Sequence, residues 1–357
     1  MKKYQIIFPI FFALTLAAGI YLGRKLKHIA TENDVSENRF RFNKFNEILN
    51  YVSEEYVDSV NKGKLLEDAV NSLLQNLDPH SVYISPQELK ELNEPLEGNF
   101  DGIGIEFNII NDTIVVISPI SGGPSESLGI KAGDRIVMID GKSVAGVGIV
   151  SKDVILKLRG ERGTKVSIAI KRQWENNLLP FTITRDKIPI YSIEVAYLID
   201  DSTGYIKISR FSANTYEEFS SSLEKLVNKG MKQLIVDLRN NPGGYLNAAT
   251  QIADEFLDSK QLIVYTQGHA RSKSAYYATP RGAFQSGRLI ILLDEGSASA
   301  SEILAGAVQD NDRGIIIGRR SFGKGLVQEQ SSFPDGSAVR LTVARYFTPS
   351  GRSIQQS

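Results

Sequence analysis

Between Phe42 and Val52 the apolar residues Phe42, Phe45, Ile48, Leu49 and Val52 recur at three- and four-residue steps, the spacing of one face of an amphipathic helix. Leu65, Leu66, Ala69, Val70, Leu73 and Leu74 repeat it. This second helix is expected to end at Asp78-Pro79-His80-Ser81, because proline and the residue before it resist helical geometry. From Asn99 to Ile188 the pattern changes to short β-branched runs between glycine turns. There Ile114–Ile117, Arg135–Ile139 and Val166–Lys171 predict strands, Asp140-Gly141 a hairpin turn, and Ser151–Leu158 a helix.

From Tyr191 onward the period alternates between two kinds of element. Gly204–Ile208, Gln233–Leu238, Leu289–Leu293 and Ile315–Ile317 read as strands, the middle two apolar enough to be buried on both faces. Thr215–Lys229 (closed by Gly230), Leu246–Leu257 and Ser301–Val308 read as the helices between and after them. Leu326–Phe347 predicts a hairpin turned at Pro334-Asp335-Gly336. The expected fold class is therefore an α/β core with a mixed, mainly parallel sheet and helices over 189–357. It is preceded by a β-rich domain over 99–188 and a helical region over 31–98.

The first 30 residues stand apart. Met1-Lys2-Lys3 precedes an apolar run from Tyr4 to Leu22, and Arg24, Lys25 and Lys27 come after it. A run of roughly 20 such residues can cross a bilayer as a helix. An uncleaved inner-membrane anchor over 4–22 is the preferred expectation. Cleavage as a signal peptide near Leu16-Ala17-Ala18-Gly19 is the alternative. Either places the remainder in the cell envelope, exported to the periplasmic side.

Composition narrows the chemistry. The 357 residues are 42% hydrophobic and 23% charged, as in a folded multi-domain protein. The 41 basic and 41 acidic residues cancel, so no basic excess recruits nucleic acid. The chain has no cysteine, which removes thiol catalysis, disulfides and cysteine zinc sites. Its three histidines, His28, His80 and His269, show no metal-binding spacing. His80 and His269 read as turn or surface residues, and no metal or cofactor is expected.

Four segments could carry chemistry. Ser297-Ala298-Ser299-Ala300-Ser301-Glu302 comes after a buried strand; Ser299 with Glu302 three places on makes a capping box. The same position also puts a hydroxyl beside free helix N-terminal N–H groups, with that of Ala300 best placed to hold an oxyanion. Asp237-Leu238-Arg239-Asn240-Asn241-Pro242-Gly243-Gly244 is a strand-to-helix turn, or a loop whose N–H groups face something negative. Its spacing matches neither the dinucleotide nor the Walker pattern. Phe322-Gly323-Lys324-Gly325 places a lysine in a turn. Burial there would leave Lys324 a neutral amine and a base, held by Gln328 four residues on. A serine activated by lysine needs no histidine. Gly102-Ile103-Gly104-Ile105 reads as an edge strand, or as a backbone cradle for a chain-terminal carboxylate.

Together these segments, with Gly129-Ile130-Lys131-Ala132-Gly133-Asp134, resemble the carboxyl-terminal processing proteases, tail-specific serine peptidases with an embedded PDZ domain. The resemblance runs from about residue 40 to 354. It implies that Ser299 is the nucleophile, Lys324 its base 25 residues later and Gln328 the residue orienting the lysine. It also implies an oxyanion hole from the N–H groups of Ala300 and the glycine pair, with Gly244 preferred to Gly243. The 99–188 domain becomes a PDZ domain of β-sandwich-like form, binding peptide through Gly102, Ile103, Gly104 and Ile105 and gating the active site. The implied reaction is endoproteolysis of proteins near unstructured C-termini, with a homo-oligomer or an adaptor protein as further partners. Many relatives continue well past Ile354, so a C-terminally truncated fragment is one expectation. An inert PDZ scaffold and a nucleotide enzyme using Gly243-Gly244 are the rivals.

Overall fold

A computed structural model describes residues 15–16, 19–21 and 44–355. Most of the apolar run 4–22 lies outside the described residues, as do Phe42 and His28. Among the described residues no helix is long and apolar enough to cross a membrane. The chain divides into two compact units, Met1–Tyr83 and Ile84–Ser357.

In the first unit residues 44–55 are helical, and a second helix, α1, spans Lys62–Gln75. Asn61 caps α1 by accepting the N–H of Lys64 (3.1 Å), and the helix ends before Pro79. Asp78 then folds the expected turn on itself, one carboxylate oxygen accepting the N–H groups of His80 and Ser81 at 2.8 and 2.9 Å. The short strand β1 (Val82–Ile84) spans the boundary between the units.

The second unit opens with α2 (Pro86–Glu97), started by a complete capping box of Ser85 and Glu88 and stopped by Gly98 at φ 73°. A two-strand ladder, β2 (Asn99–Gly102) against β9 (Asp186–Pro189), closes the 99–188 region where the chain enters and leaves it. This region has its own core. Strands β3 (Ile105–Ile109), β4 (Ile114–Pro119), β5 (Arg135–Ile139), β7 (Lys165–Lys171) and β8 (Leu179–Thr184) form an antiparallel sheet in that order. The helix α3 (Pro124–Ser127) lies between β4 and β5. Ile114, Ile136, Ile170 and Ile183 are fully buried beneath the sheet, with Val154 of α4 (Ser151–Leu158). Asp140-Gly141 makes the expected tight turn into the two-residue strand β6 (Lys142–Ser143), both turn residues at positive φ.

The remainder is built on a five-stranded sheet. At one edge β10 (Ile193–Leu198) pairs antiparallel with β11 (Thr203–Ile208). Beyond it β11, β12 (Gln233–Asp237), β15 (Arg288–Leu293) and β16 (Ile315–Gly318) run parallel, in that order. Helices α5 (Thr215–Asn228), α6 (Leu246–Asp254) and α7 (Ala300–Asp310) connect these strands. They bury Phe219, Leu223, Ile252, Ile303 and Leu304 in one apolar core. Residues Ala300 to Val308 of α7 are all buried, which its small side chains permit. A second, antiparallel sheet pairs β17 (Leu326–Ser332) with β18 (Ala338–Phe347), β18 with β13 (Leu262–Gln267), and β13 with β14 (Ser274–Tyr277). The hairpin of this sheet was expected; β13 and β14 were not.

Candidate active site

The turn that delivers Ser299 is strained. Ser299 has φ 52° and ψ −108°, a conformation that costs an L-residue roughly 1–3 kcal/mol and survives only where its surroundings enforce it. The loop after β12 enforces it. The carbonyl of Asn241 accepts the N–H of Ala298 (3.0 Å) and the hydroxyl of Ser301 (3.1 Å), while its amide reaches the carbonyl of Ile208 (2.9 Å). Gly243, at φ 95°, lies flat against the turn: a Cβ there would come within 2.6 Å of the Ala298 carbonyl and 2.9 Å of the Ser299 Cβ. The second candidate segment is thus the buttress of the first.

The two glycines differ in what their N–H groups do. That of Gly243 donates to Asn241 Oδ1 (2.9 Å). Those of Gly244 and of Ala300, the first residue of α7, find no acceptor among the described residues. Gly244 itself is pinned by its bridge to Phe211, where a Cβ would meet the Phe211 carbonyl at 2.0 Å.

Lys324 reaches the same place from the loop before β17. Its Nζ donates to Gln328 Oε1 at 2.9 Å. Burial, and after it the charge of Arg340, hold its ammonium below the usual lysine range. Ser299, Lys324 and Gln328 line one cleft of ≈ 530 Å³ with Pro242, Gly243, Gly244 and Tyr245, walled on another side by Leu92, Pro95 and Leu96 of α2. No hydrogen bond joins Lys324 Nζ to Ser299. Such contacts commonly tighten only with substrate in place.

Glu302 was legible in the sequence only as a cap. The structure makes it the fastener between the two segments. Its carboxylate, 6% exposed, accepts the N–H of Ser299 (2.8 Å) and of Lys324 (2.9 Å) on one oxygen. The other oxygen takes the N–H of Gly323 and the hydroxyl of Ser321, both at 2.7 Å. Four donors on one buried carboxylate fix where serine and lysine stand relative to each other. A signal existed, since a capping glutamate is usually exposed and this one sits between a buried strand and an alanine-rich helix.

The fourth candidate lies elsewhere, between β2 and β3. The Ile103 side chain is core, and its carbonyl is held by the N–H and hydroxyl of Ser125 at 3.1 and 2.6 Å. The N–H groups of Ile103 and of Gly104 (φ 73°) have no acceptor among the described residues. Gly102, at the start of the segment, packs toward Arg159, which follows α4, stacks 4.5 Å over the Phe100 ring and is ion-paired with Glu94 of α2. Burial pushes the Glu94 carboxyl up, and Arg159 opposes that. Of the histidines, His269 is exposed and His80 belongs to the Asp78 turn. No group of three metal-binding side chains occurs among the described residues.

Three family models match the chain: peptidase family S41 over residues 202–357, a PDZ domain over 102–184, and the activating protease CtpB N-terminal domain over 14–87. The carboxy-terminal processing protease CtpB of Bacillus subtilis is 35% identical over 95% of this chain and 72% of its own length. A carboxy-terminal-processing protease of Bartonella bacilliformis is 36% identical over 95% and 79%. Among solved structures, the photosystem II D1 C-terminal processing protease is 31% identical with a TM-score of 0.51, covering 87% of this chain and 83% of that one.

Proposed function

Since the chain belongs to the carboxy-terminal processing proteases, serine peptidases with an S41 core and a PDZ domain, we propose that it cleaves proteins near their C-termini with a Ser299–Lys324 dyad. The uncharged Lys324 amine takes the Ser299 proton as the hydroxyl attacks a backbone carbonyl. The tetrahedral oxyanion forms against the N–H groups of Ala300 and Gly244. Collapse expels the C-terminal fragment as an amine, protonated by the Lys324 ammonium, and water then hydrolyses the acyl-enzyme with Lys324 again as base. Gln328 holds the amine while it is idle. The observation that carries this reading is a part-buried lysine and a strained serine lining one cleft, their backbones fastened to the same carboxylate.

In the same reading the PDZ domain takes the substrate's terminal carboxylate on the N–H groups of Ile103 and Gly104. The Arg159–Glu94 pair supports the gating role: a bound carboxylate would compete for Arg159, and Glu94 belongs to the helix that walls the cleft. Division of labour at 31–98, 99–188 and 189–357, and anchoring by Tyr4–Leu22 with the catalytic part outside the cytoplasm, rest on the sequence pattern and complete the proposal.

The purified chain with an unstructured protein substrate is the test. Ser299→Ala and Lys324→Ala should each lower kcat/KM by about 10³ or more, the scale of losing a catalytic serine or its base. Cleavage by Ser299→Ala equal to the wild type would refute the assignment. In the intact enzyme kcat/KM should rise with pH through a lysine titration below the usual range, because only the deprotonated amine accepts the proton.

A further inference from the structure

β17 and β18 pair in a register that sets Gln328 opposite Thr342 and Gln330 opposite Arg340. Side chains directly opposed on an antiparallel ladder leave the same face of the sheet, as do residues two apart on one strand. Gln328, Gln330 and Arg340 therefore share a face, and all three line the cleft with Ser299 and Lys324. The Arg340 guanidinium donates to Gln330 Oε1 (3.1 Å) and enters no ion pair among the described residues. Of the other charged residues of this hairpin, Glu329 is paired with Arg271 outside the cleft, and Arg345, opposite Leu326, does not line it.

We propose that Arg340 acts on the base rather than on the substrate: its unneutralised guanidinium, one rung along the ladder from Gln328, keeps the Lys324 amine in its uncharged, proton-accepting form. The inference rests on Lys324 being the base. Burial alone disfavours an ammonium, and a second cation in the same low-dielectric cleft adds to it. Two carboxylates stand near enough to weigh against it. Glu302 on α7 keeps its charge, but its oxygens are held by the N–H groups of Ser299, Gly323 and Lys324 and the Ser321 hydroxyl, and it does not line the cleft. Glu97 of α2 lines the same cleft and forms no ion pair with Lys324 or Arg340 among the described residues. No other charged side chain of β17 or β18 lines the cleft, and its remaining titratable members are Tyr245 and Tyr346.

The test is the pH dependence of kcat and KM for wild type, Arg340→Gln and Arg340→Lys, on an unstructured peptide without acidic residues near the cleavage point. Arg340→Gln should move the rising limb of kcat/KM to higher pH by about half to one unit, a roughly three- to tenfold loss below the limb that is recovered above it. Arg340→Lys should keep the wild-type limb, and high salt should carry the wild type toward the Gln variant. A limb that stays put while KM rises at every pH would make Arg340 a substrate contact and overturn the inference. A uniform fall in kcat with a lowered melting temperature would make it a structural support and overturn it equally. Ser299→Ala and Lys324→Ala run alongside. If both abolish cleavage and the limb of Arg340→Gln does not move, this inference alone fails; if Lys324→Ala still cleaves, the dyad fails and the inference with it.

Discussion

Glu302 and Glu94 are both carboxylates with little exposure, 6% and 8%, one at the serine turn and one on the helix that walls the cleft. They are held in opposite ways. Glu302 receives four donors and no cation, three of the donors being backbone N–H groups. Glu94 faces a single guanidinium, its carboxyl pushed up by burial. A carboxylate saturated by fixed backbone dipoles is part of the scaffold, because undoing it strands several buried donors at once. One held by a single flexible side chain can be released by any competing anion. The first suits a catalytic frame and the second a contact that must change.

The same isosteric change at each position separates the two. Glu302→Gln turns an NH2 group toward two donors, stranding them. Stability should fall by about 3 kcal/mol or more, and kcat/KM by about 10² or more through lost serine–lysine alignment. Calorimetry with a peptidase assay reads both; a variant melting close to the wild type with full activity would dissolve the contrast. Ser321→Ala removes one of the four donors and should cost about 1 kcal/mol, with activity largely kept. Glu94→Gln should be the mildest, within about 0.5 kcal/mol at neutral pH, because the amide oxygen still accepts from Arg159. Its signature is in pH. A carboxyl raised above its unfolded value favours the fold when protonated and loses that contribution as pH climbs through the raised value. The wild type should therefore gain stability over Glu94→Gln on acidification, and parallel melting curves from acid to neutral pH would show that Glu94 is not displaced.

Most of the second unit's architecture was readable from period alone. Short apolar runs located β11, β12 and β15, and three- and four-residue steps located α5 and α7, because burial is a local constraint written within a few residues. Helix α6 ends at Asp254, three residues short of the expected Leu257, although Phe256 and Leu257 are fully buried. There the apolar pattern recorded burial, not helical geometry. The strands β13 and β14 escaped notice for a related reason. They are short, β14 is half-exposed and pairs only with β13, and β13 finds its place through β18, some eighty residues away.

The site divides along the same line. Ser299, Lys324, Gln328 and the glycine pair were nameable from their types, spacing and likeness to a family. Nothing in the sequence could say that Gly243 spends its N–H on Asn241 while Gly244 does not, or that Glu302 ties the serine turn to the lysine loop. Nor could it say that Arg340, one rung along from Gln328, lines the same cleft as Lys324. Covalent neighbours announce themselves in one dimension; an electric field and a shared hydrogen-bond acceptor depend on distances between segments far apart in the chain. Residue identity thus determined which groups were available for chemistry. Folding alone decided which of them meet and which are already spent.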